Sequence, residues 1–207
     1  MTDPNYSALL LVIDRSGSMA DIRDDMVGGL QQLIAEQAAQ PGLLTVDVVI
    51  FDNEIEHVYS MAAASDVVIP LDPRGGTALY DAVGVSVRSF GQALAGLPEH
   101  ARPATVQVVI VTDGHENSSR EYDAAAVHKL ISHQTDTYGW DFIFLGANQD
   151  AMLTAEGLGI DAGSALTYAA DAEGVVSMSK TASRYMTDVR RKSKRGFSEA
   201  ERNDAGN

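Results

Sequence analysis

The chain has 207 residues, of which 45% are hydrophobic and 21% are charged, a composition that predicts one globular domain and argues against repeats, collagen and wholesale disorder. The formal net charge is −14, from 15 basic and 29 acidic residues, so the body of the protein should repel nucleic acids and other polyanions. There is no cysteine, which excludes disulfides, thiolate metal sites and cysteine nucleophiles.

Short β-branched apolar runs alternate with longer segments whose apolar residues recur every three or four positions. This pattern is typical of a parallel sheet covered by helices. Residues 54–59 alternate polar and apolar side chains, which predicts an antiparallel edge strand joined to its neighbour through a turn at Asp52 and Asn53. The apolar runs predict buried strands at residues 8–13, 45–51, 106–112, 142–145 and 165–169.

Helical stripes of apolar residues lie between and after these strands. The predicted fold class is therefore α/β, with a doubly wound, Rossmann-like, mostly parallel sheet, one antiparallel edge strand and helices on both faces. The first apolar run is too short for a signal peptide or a membrane span. With the lack of cysteine, this predicts a soluble cytoplasmic protein without a membrane partner. The stripes predict helices over residues 22–34, 79–97, 122–133, 149–158 and 175–189.

The end of the chain differs in charge from the rest. The last 24 residues contain seven basic and four acidic residues, which leaves residues 1–183 with a net charge of −17. Five of the basic residues lie at 190–195, where they would complement the carboxyl end of the last helix, with Gly196 as its stop. The alternative is a docking segment for an acidic partner or for nucleic acid. We predict one domain over residues 1–196 and a polar, disordered tail over residues 197–207.

Three loops carry oxygen-bearing side chains. Asp14, Ser16 and Ser18 follow the first predicted strand, Thr77 follows two glycines before a helix, and Asp113 follows the strand at 106–112. Each loop alone fits ordinary turn and N-cap chemistry. However, every group falls at the carboxyl end of a strand or the amino end of a helix, so all five lie on the same side of a parallel sheet. If the strands before Asp14 and Asp113 are neighbours, these groups lie at the switch point where such sheets bind ligands.

These five side chains supply three hydroxyls and two carboxylates, a hard all-oxygen set that suits Mg²⁺, Mn²⁺ or Ca²⁺ rather than zinc or copper. They stand in the pattern D-x-S-x-S, a later Gly-Gly-Thr and a still later Asp-Gly. That pattern resembles the metal-ion-dependent adhesion site (MIDAS) of von Willebrand factor type A (VWA) domains. The resemblance covers nearly the whole chain, and no departure appears at the five ligand positions.

The resemblance implies a role for each residue. Ser16 and Ser18 would be direct ligands, Thr77 would bind directly or through water, and Asp14 and Asp113 would act through water. It also implies a divalent ion, with Mg²⁺ expected first, whose coordination is completed by a Glu or Asp of a partner protein. Intracellular members of the family often work beside AAA+ ATPases, which suggests such an ATPase or its substrate as the partner.

Arg15, Arg74 and His115 lie beside the three loops and form the predicted rim that contacts a partner. The two arginines would offset the repulsion between an acidic partner and the acidic body of the protein. Solvated loop arginines are the alternative interpretation. His115 is also the nearest candidate for a general base in these loops.

The sequence argues against catalysis. Hydrolases that form a phosphoaspartate resemble D-x-D, but this chain has Ser16 at the second position. Neither Ser16 nor Ser18 lies in a nucleophile elbow, and there is no phosphate-binding P-loop motif. We expect a metal-dependent protein-binding adaptor without enzymatic activity. A polyanion binder that uses the basic segment and a metal-dependent hydrolase are the alternatives.

Overall fold

A mixed sheet of six strands lies at the centre of the computed structural model, which describes residues 2–147 and 150–206. The strand order is β3-β2-β1-β4-β5-β6, in which β3 runs antiparallel to β2 and the other neighbours are parallel. The strands are β1 (Asp3–Asp14), β2 (Leu43–Phe51), β3 (Ile55–Ala63), β4 (Pro103–Thr112), β5 (Asp141–Ala147) and β6 (Ala165–Tyr168).

Helices cover both faces of the sheet. Alternate residues of β1 point to opposite faces, so Leu9, Leu11 and Ile13 pack with α1 and α5, whereas Leu10 and Val12 pack with α2, α3 and α4. The helices are α1 (Arg23–Ala38), α2 (Leu79–Gly96), α3 (Ala124–Tyr138), α4 (Ala151–Gly157), α5 (Ala172–Arg190) and α6 (Glu199–Gly206). In the described parts of the chain, no helix combines the length and the apolar character that a membrane span requires.

The predicted fold class is confirmed, including the antiparallel edge strand, and β1 lies beside β4, which the sequence analysis had left as a condition. The chain moves from β1 outward to β2 and β3, then returns to the other side of β1 with β4. The carboxyl ends of β1 and β4 therefore form the switch point of the sheet. The helix predicted over residues 149–158 is present from Ala151, and Gln149 lies outside the described residues.

The edge strand β3 pairs irregularly with β2. The register shifts between Val46 and Val48 and again between Val48 and Val49. At the end of this irregular stretch Met61 has a positive φ of 48°, and its backbone N–H donates to the buried Asp47 carboxylate at 2.9 Å. The irregularity bends β3 away from a flat edge.

The segment after residue 196, for which the sequence predicts a disordered tail, packs against the domain in this structure. Phe197 is only 6% exposed, and its ring centroid lies 4.9 Å from that of Tyr185. The following helix α6 buries Ala205, and Arg202 donates to the backbone carbonyls of Ala162 and Ala165. The tail is polar in composition, but two apolar side chains and one guanidinium are enough to dock it beside β6.

Replacing Phe197 by alanine tests the docking of the tail. We expect Phe197→Ala to lower the free energy of unfolding by about 3 kcal/mol, because it removes a buried aromatic ring. Urea unfolding measures the change. The matched control is Leu43→Ala, because Leu43 is exposed, and it should change the stability little. Equal unfolding midpoints for the two variants would contradict the docked tail.

Candidate metal centre

Asp14 ends β1, and hydrogen bonds hold both oxygens of its buried carboxylate. Oδ1 accepts from the backbone N–H of Ser16 at 2.6 Å, and Oδ2 accepts from the Thr112 hydroxyl at 2.6 Å. The first bond turns the chain just after the strand, so that the Ser16 and Ser18 hydroxyls come within 3.2 Å of each other. The second bond joins the ends of β1 and β4 across the switch point.

Asp113 and Thr77 complete the group from the other two loops. The Ser18 hydroxyl donates to Asp113 Oδ1 at 2.7 Å. A Cβ atom built on Gly114 would lie 2.7 Å from Thr77 Oγ1, 3.5 Å from Ser16 Oγ and 3.6 Å from Asp14 Oδ2. Oxygens from the first two loops therefore surround one small space beside the third loop, and only a glycine at position 114 leaves this space open.

The donor set fits a hard divalent cation. It consists of three hydroxyls and two carboxylates, which are oxygen ligands of the kind that Mg²⁺ and Ca²⁺ take. Among the described residues, no cluster of three or more His, Cys, Asp or Glu side chains could hold a metal. A cation held here would therefore be neutralised by few anionic groups and would keep much of its positive charge.

Burial disfavours the charged forms of both carboxylates of this site. Burial raises the pKa of Asp14 to about 6, although its hydrogen bonds with Thr112 and Ser16 act in the opposite direction. Burial also raises the pKa of Asp113, against the hydrogen bond from Ser18, and the charge of Asp21 adds to the increase. Without a cation, both negative charges are poorly compensated. A divalent ion would lower the free energy of both charged forms.

The second loop is held by a buried ion-pair network around Asp52. Asp52 Oδ2 accepts from Arg15 Nε at 3.1 Å and from Arg74 Nε at 2.7 Å. Burial acts to raise the pKa of Asp52, but the Arg74 hydrogen bond, the backbone N–H of Glu54 and the charge of Arg15 outweigh it and hold this pKa below its usual value. The guanidiniums tie the β2–β3 turn to the metal-site loops.

The structure corrects the predicted rim at Arg15. Its side chain is 5% exposed and pairs with Asp52 and Glu56. It therefore stabilises the loop from inside the protein and is not available for contact with a partner. The exposed Arg74 also pairs with Glu54. His115 is exposed, and its contact with a partner stays a prediction.

Several residues that the sequence analysis did not single out hold the third loop in place. Asn117 Oδ1 accepts from the backbone N–H of Thr77 at 3.0 Å, and the Thr77 carbonyl accepts from the N–H groups of Asn117 and Ser118. The Asp81 carboxylate accepts from three successive backbone N–H groups at residues 120–122. The sequence analysis also did not single out Thr112, whose hydroxyl donates to Asp14. Its position directly before Asp113 is a signal that could have revealed this role.

The basic segment at 190–195 is largely engaged within the molecule. Arg190 donates to the carbonyls of Gln37 and Pro41, Lys194 pairs with Asp141 at 2.6 Å, and Arg195 pairs with Glu201 at 3.0 Å. The helix α5 already ends at Arg190, and Lys192 follows with a positive φ of 57°. The predicted helix stop at Gly196 is therefore too late, and the cations fasten the end of the chain to the domain.

Comparison with known proteins supports the VWA fold. No family model and no curated protein matches the sequence. Among solved structures, the proximal thread matrix protein 1 of the mussel byssus has a TM-score of 0.66 at 16% identity, over 87% of this chain and 48% of that protein. The VWF domain of the type V pili tip protein Mfa5 from Porphyromonas gingivalis has a TM-score of 0.62 at 10% identity, over 94% of this chain and 98% of that one. A von Willebrand factor type A protein from Catenulispora acidiphila has a TM-score of 0.59 at 18% identity, over 88% of this chain and 43% of that one.

These similarities show the fold. The chain has the Rossmann-like α/β fold of von Willebrand factor type A domains, and it spans about half the length of the mussel protein. Another structure of that mussel protein, with a TM-score of 0.63 at 15% identity over 87% of this chain and 48% of that one, is described as having a zinc-occupied MIDAS motif.

Asp14→Asn tests the cost of the buried charge. The pKa of Asp14 in the folded protein, about 6, lies above the usual value for Asp in an unfolded chain. The folded state therefore holds this proton more tightly, and the stability that the protonated group contributes is lost as the pH rises from about 4 to about 6. In EDTA at pH 7.5 we expect the variant to be more stable than wild type by up to about 3 kcal/mol, with little difference near pH 4. Urea unfolding across this pH range is the measurement. Parallel pH profiles for the two proteins would show that Asp14 carries no such cost.

Gly114→Ala tests the position of the cation. The added Cβ would occupy the space between Thr77, Ser16 and Asp14, so we expect Mg²⁺ affinity to fall at least tenfold, as measured by the rise in melting temperature with Mg²⁺ concentration. Gly28→Ala is the matched control, because nothing lies within 4 Å of an added Cβ there. Wild-type Mg²⁺ affinity in Gly114→Ala would place the ion elsewhere.

Proposed function

We propose that this protein is a divalent-metal-dependent protein-interaction module. It holds the ion with Asp14, Ser16, Ser18, Thr77 and Asp113 and uses it to bind a Glu or Asp side chain of a partner. The observation that carries the proposal is the convergence of oxygens from Thr77, Ser16 and Asp14 around the space beside Gly114. Mg²⁺ is the expected ion, with Mn²⁺ and Ca²⁺ as the other hard cations that suit the donor set.

The charge of the chain supports an obligatory role for the metal. The protein carries a formal charge of −14, which repels an acidic partner at long range. Arg15 and Arg74, the cations beside the site, are already paired with Asp52. The attraction for a carboxylate must therefore come from the ion itself, and removal of the ion should abolish binding rather than weaken it.

The contacts around the serines support binding rather than catalysis. The Ser16 hydroxyl contacts Ser18, and the Ser18 hydroxyl donates to Asp113. A serine nucleophile needs an adjacent general base to take its proton. The exposed His115 makes no hydrogen bond with either serine in the described structure, and Asp113, which accepts from Ser18, is assigned to the ion in this proposal. We propose that the site has no turnover of its own.

The partner and its location follow as further parts of the same proposal. An interaction domain that recognises an acidic side chain would act as an adaptor, for which an AAA+ ATPase or its substrate is the proposed partner. A cytoplasmic location is consistent with the absence of cysteine. The internal pairing of the basic segment gives no support to a polyanion-binding function.

A random peptide library displayed on phage tests the proposal, because it presents acidic side chains in many different sequence contexts. Selections on the wild-type protein are run in Mg²⁺ and in EDTA, and in parallel on Ser16→Ala/Ser18→Ala. We expect enrichment only with wild type in Mg²⁺, in peptides that share an Asp or Glu whose replacement by Asn or Gln lowers affinity at least tenfold.

The control is Ser65→Ala/Ser132→Ala, which removes two hydroxyls away from the three loops and should select the same peptides as wild type. Circular dichroism checks that each variant is folded. Peptides selected equally well in EDTA, or by Ser16→Ala/Ser18→Ala, would refute metal-dependent recognition. Mg²⁺ binding measured by thermal shift on the same samples separates loss of the ion from loss of the peptide.

A further inference from the structure

A cavity lies at the end of the sheet opposite the metal centre, beside the amino ends of β5 and β6. Its volume is about 440 Å³, which falls within the range of small-molecule sites. Trp140, Phe142 and Ile160 are the large apolar residues that line it, and Asp141, Glu156, Asp161 and Lys194 are the charged ones.

Asp141 is the unusual residue of this cavity. It is 8% exposed, and its Oδ1 accepts from Lys194 Nζ at 2.6 Å and from the Tyr185 hydroxyl at 3.2 Å. Its Oδ2 is buried and has no hydrogen-bond partner among the described residues. A buried carboxylate oxygen without a donor is costly, so a hydrogen-bond donor that reached Oδ2 would stabilise this residue.

The charged residues that line the cavity favour a donor with a positive charge. Glu156 and Asp161 are exposed, and neither forms an ion pair with another described residue, although Asp161 Oδ1 accepts from the backbone N–H of Gly163 at 2.7 Å. The residues that line the cavity thus include three carboxylates and one ammonium group, that of Lys194. A cation is favoured here, and the Lys194 Nζ contact shows that the Asp141 carboxylate accepts an ammonium group in this setting.

We propose that this cavity binds a small organic ammonium ion with an apolar body. The ammonium group would be attracted by Asp141, Glu156 and Asp161, and the apolar body would lie beside Trp140 and Phe142. The cavity is built from the amino ends of the strands, whereas the metal centre lies at their carboxyl ends. The proposal therefore does not depend on the metal-dependent function.

Trp140 makes the proposal directly measurable, because it is the single tryptophan of the chain and lines the cavity. We would titrate the protein in EDTA, at constant ionic strength, with n-butylammonium and with 1,4-diaminobutane and follow the tryptophan fluorescence. The uncharged isosteres n-butanol and 1,4-butanediol serve as ligand controls. We expect a saturable one-to-one change with at least one of the amines and none with the alcohols.

Two double variants separate a site from general attraction to an acidic surface. Glu156→Gln/Asp161→Asn removes two exposed charges from the cavity and should weaken amine binding at least tenfold. Asp66→Asn/Glu173→Gln changes the net charge equally at exposed positions that do not line the cavity, and it should bind as wild type. Trp140 also lines a groove between α2 and α3, together with the acidic Glu99, so Glu99→Gln is included and should have no effect.

The possible results decide between these explanations. Loss of binding in Glu156→Gln/Asp161→Asn alone supports the proposal, and Asp14→Asn should still bind the amine because it alters only the metal centre. Absence of a saturable change with both amines, an equal response to the alcohols, or an equal loss in both double variants would overturn it. Loss only in Glu99→Gln would assign the signal to the other groove and would also overturn it.

Discussion

The hydrogen bond from the Thr112 hydroxyl to the Asp14 carboxylate is the interaction on which the candidate metal centre depends. Because β1 and β4 are parallel neighbours with Ile13 opposite Val111, their last residues meet across the switch point, and this 2.6 Å bond fixes the carboxylate there. The carboxylate in turn accepts the Ser16 N–H, which sets the path of the first loop. One contact between two central strands thus orients groups that lie almost a hundred residues apart in the sequence.

The acidic side chains of this protein fall into distinct electrostatic settings. Asp52 is neutralised by guanidinium groups, and Asp81 and Glu116 are satisfied by backbone N–H groups that shape the third loop. Asp14 and Asp113 differ, since burial raises their pKa and no cationic side chain of the described residues pairs with either. The settings of the first three carboxylates are structural, whereas those of Asp14 and Asp113 are suited to an ion from solution. The carboxylates with compensated charges therefore hold the loops in place around Asp14 and Asp113, whose charges no cationic side chain of the described residues compensates.

The sheet and the positions of the ligand loops could be predicted because they follow from local patterns. Apolar runs buried on both faces mark the parallel strands, and polar groups directly after such runs must lie at one edge of the sheet. The burial of Arg15 could not be predicted, because it depends on Asp52, which is distant in sequence. The docking of Phe197 and the cavity around Asp141 also escaped prediction, since each is assembled by contacts between remote segments. Composition alone made the tail look disordered.

The edges of the sheet have a consequence for the behaviour of the protein at high concentration. A flat exposed strand offers unpaired backbone groups to the strands of other molecules, and this is a common route to aggregation. At one edge, the register shifts of β3 and the positive φ of Met61 interrupt such a template. At the other edge, β6 has only four residues, and the tail covers its ends through Arg202 on the Ala165 carbonyl and the Ala169 N–H on the Ala205 carbonyl. The docked tail therefore protects the sheet from pairing with other molecules as well as closing the domain.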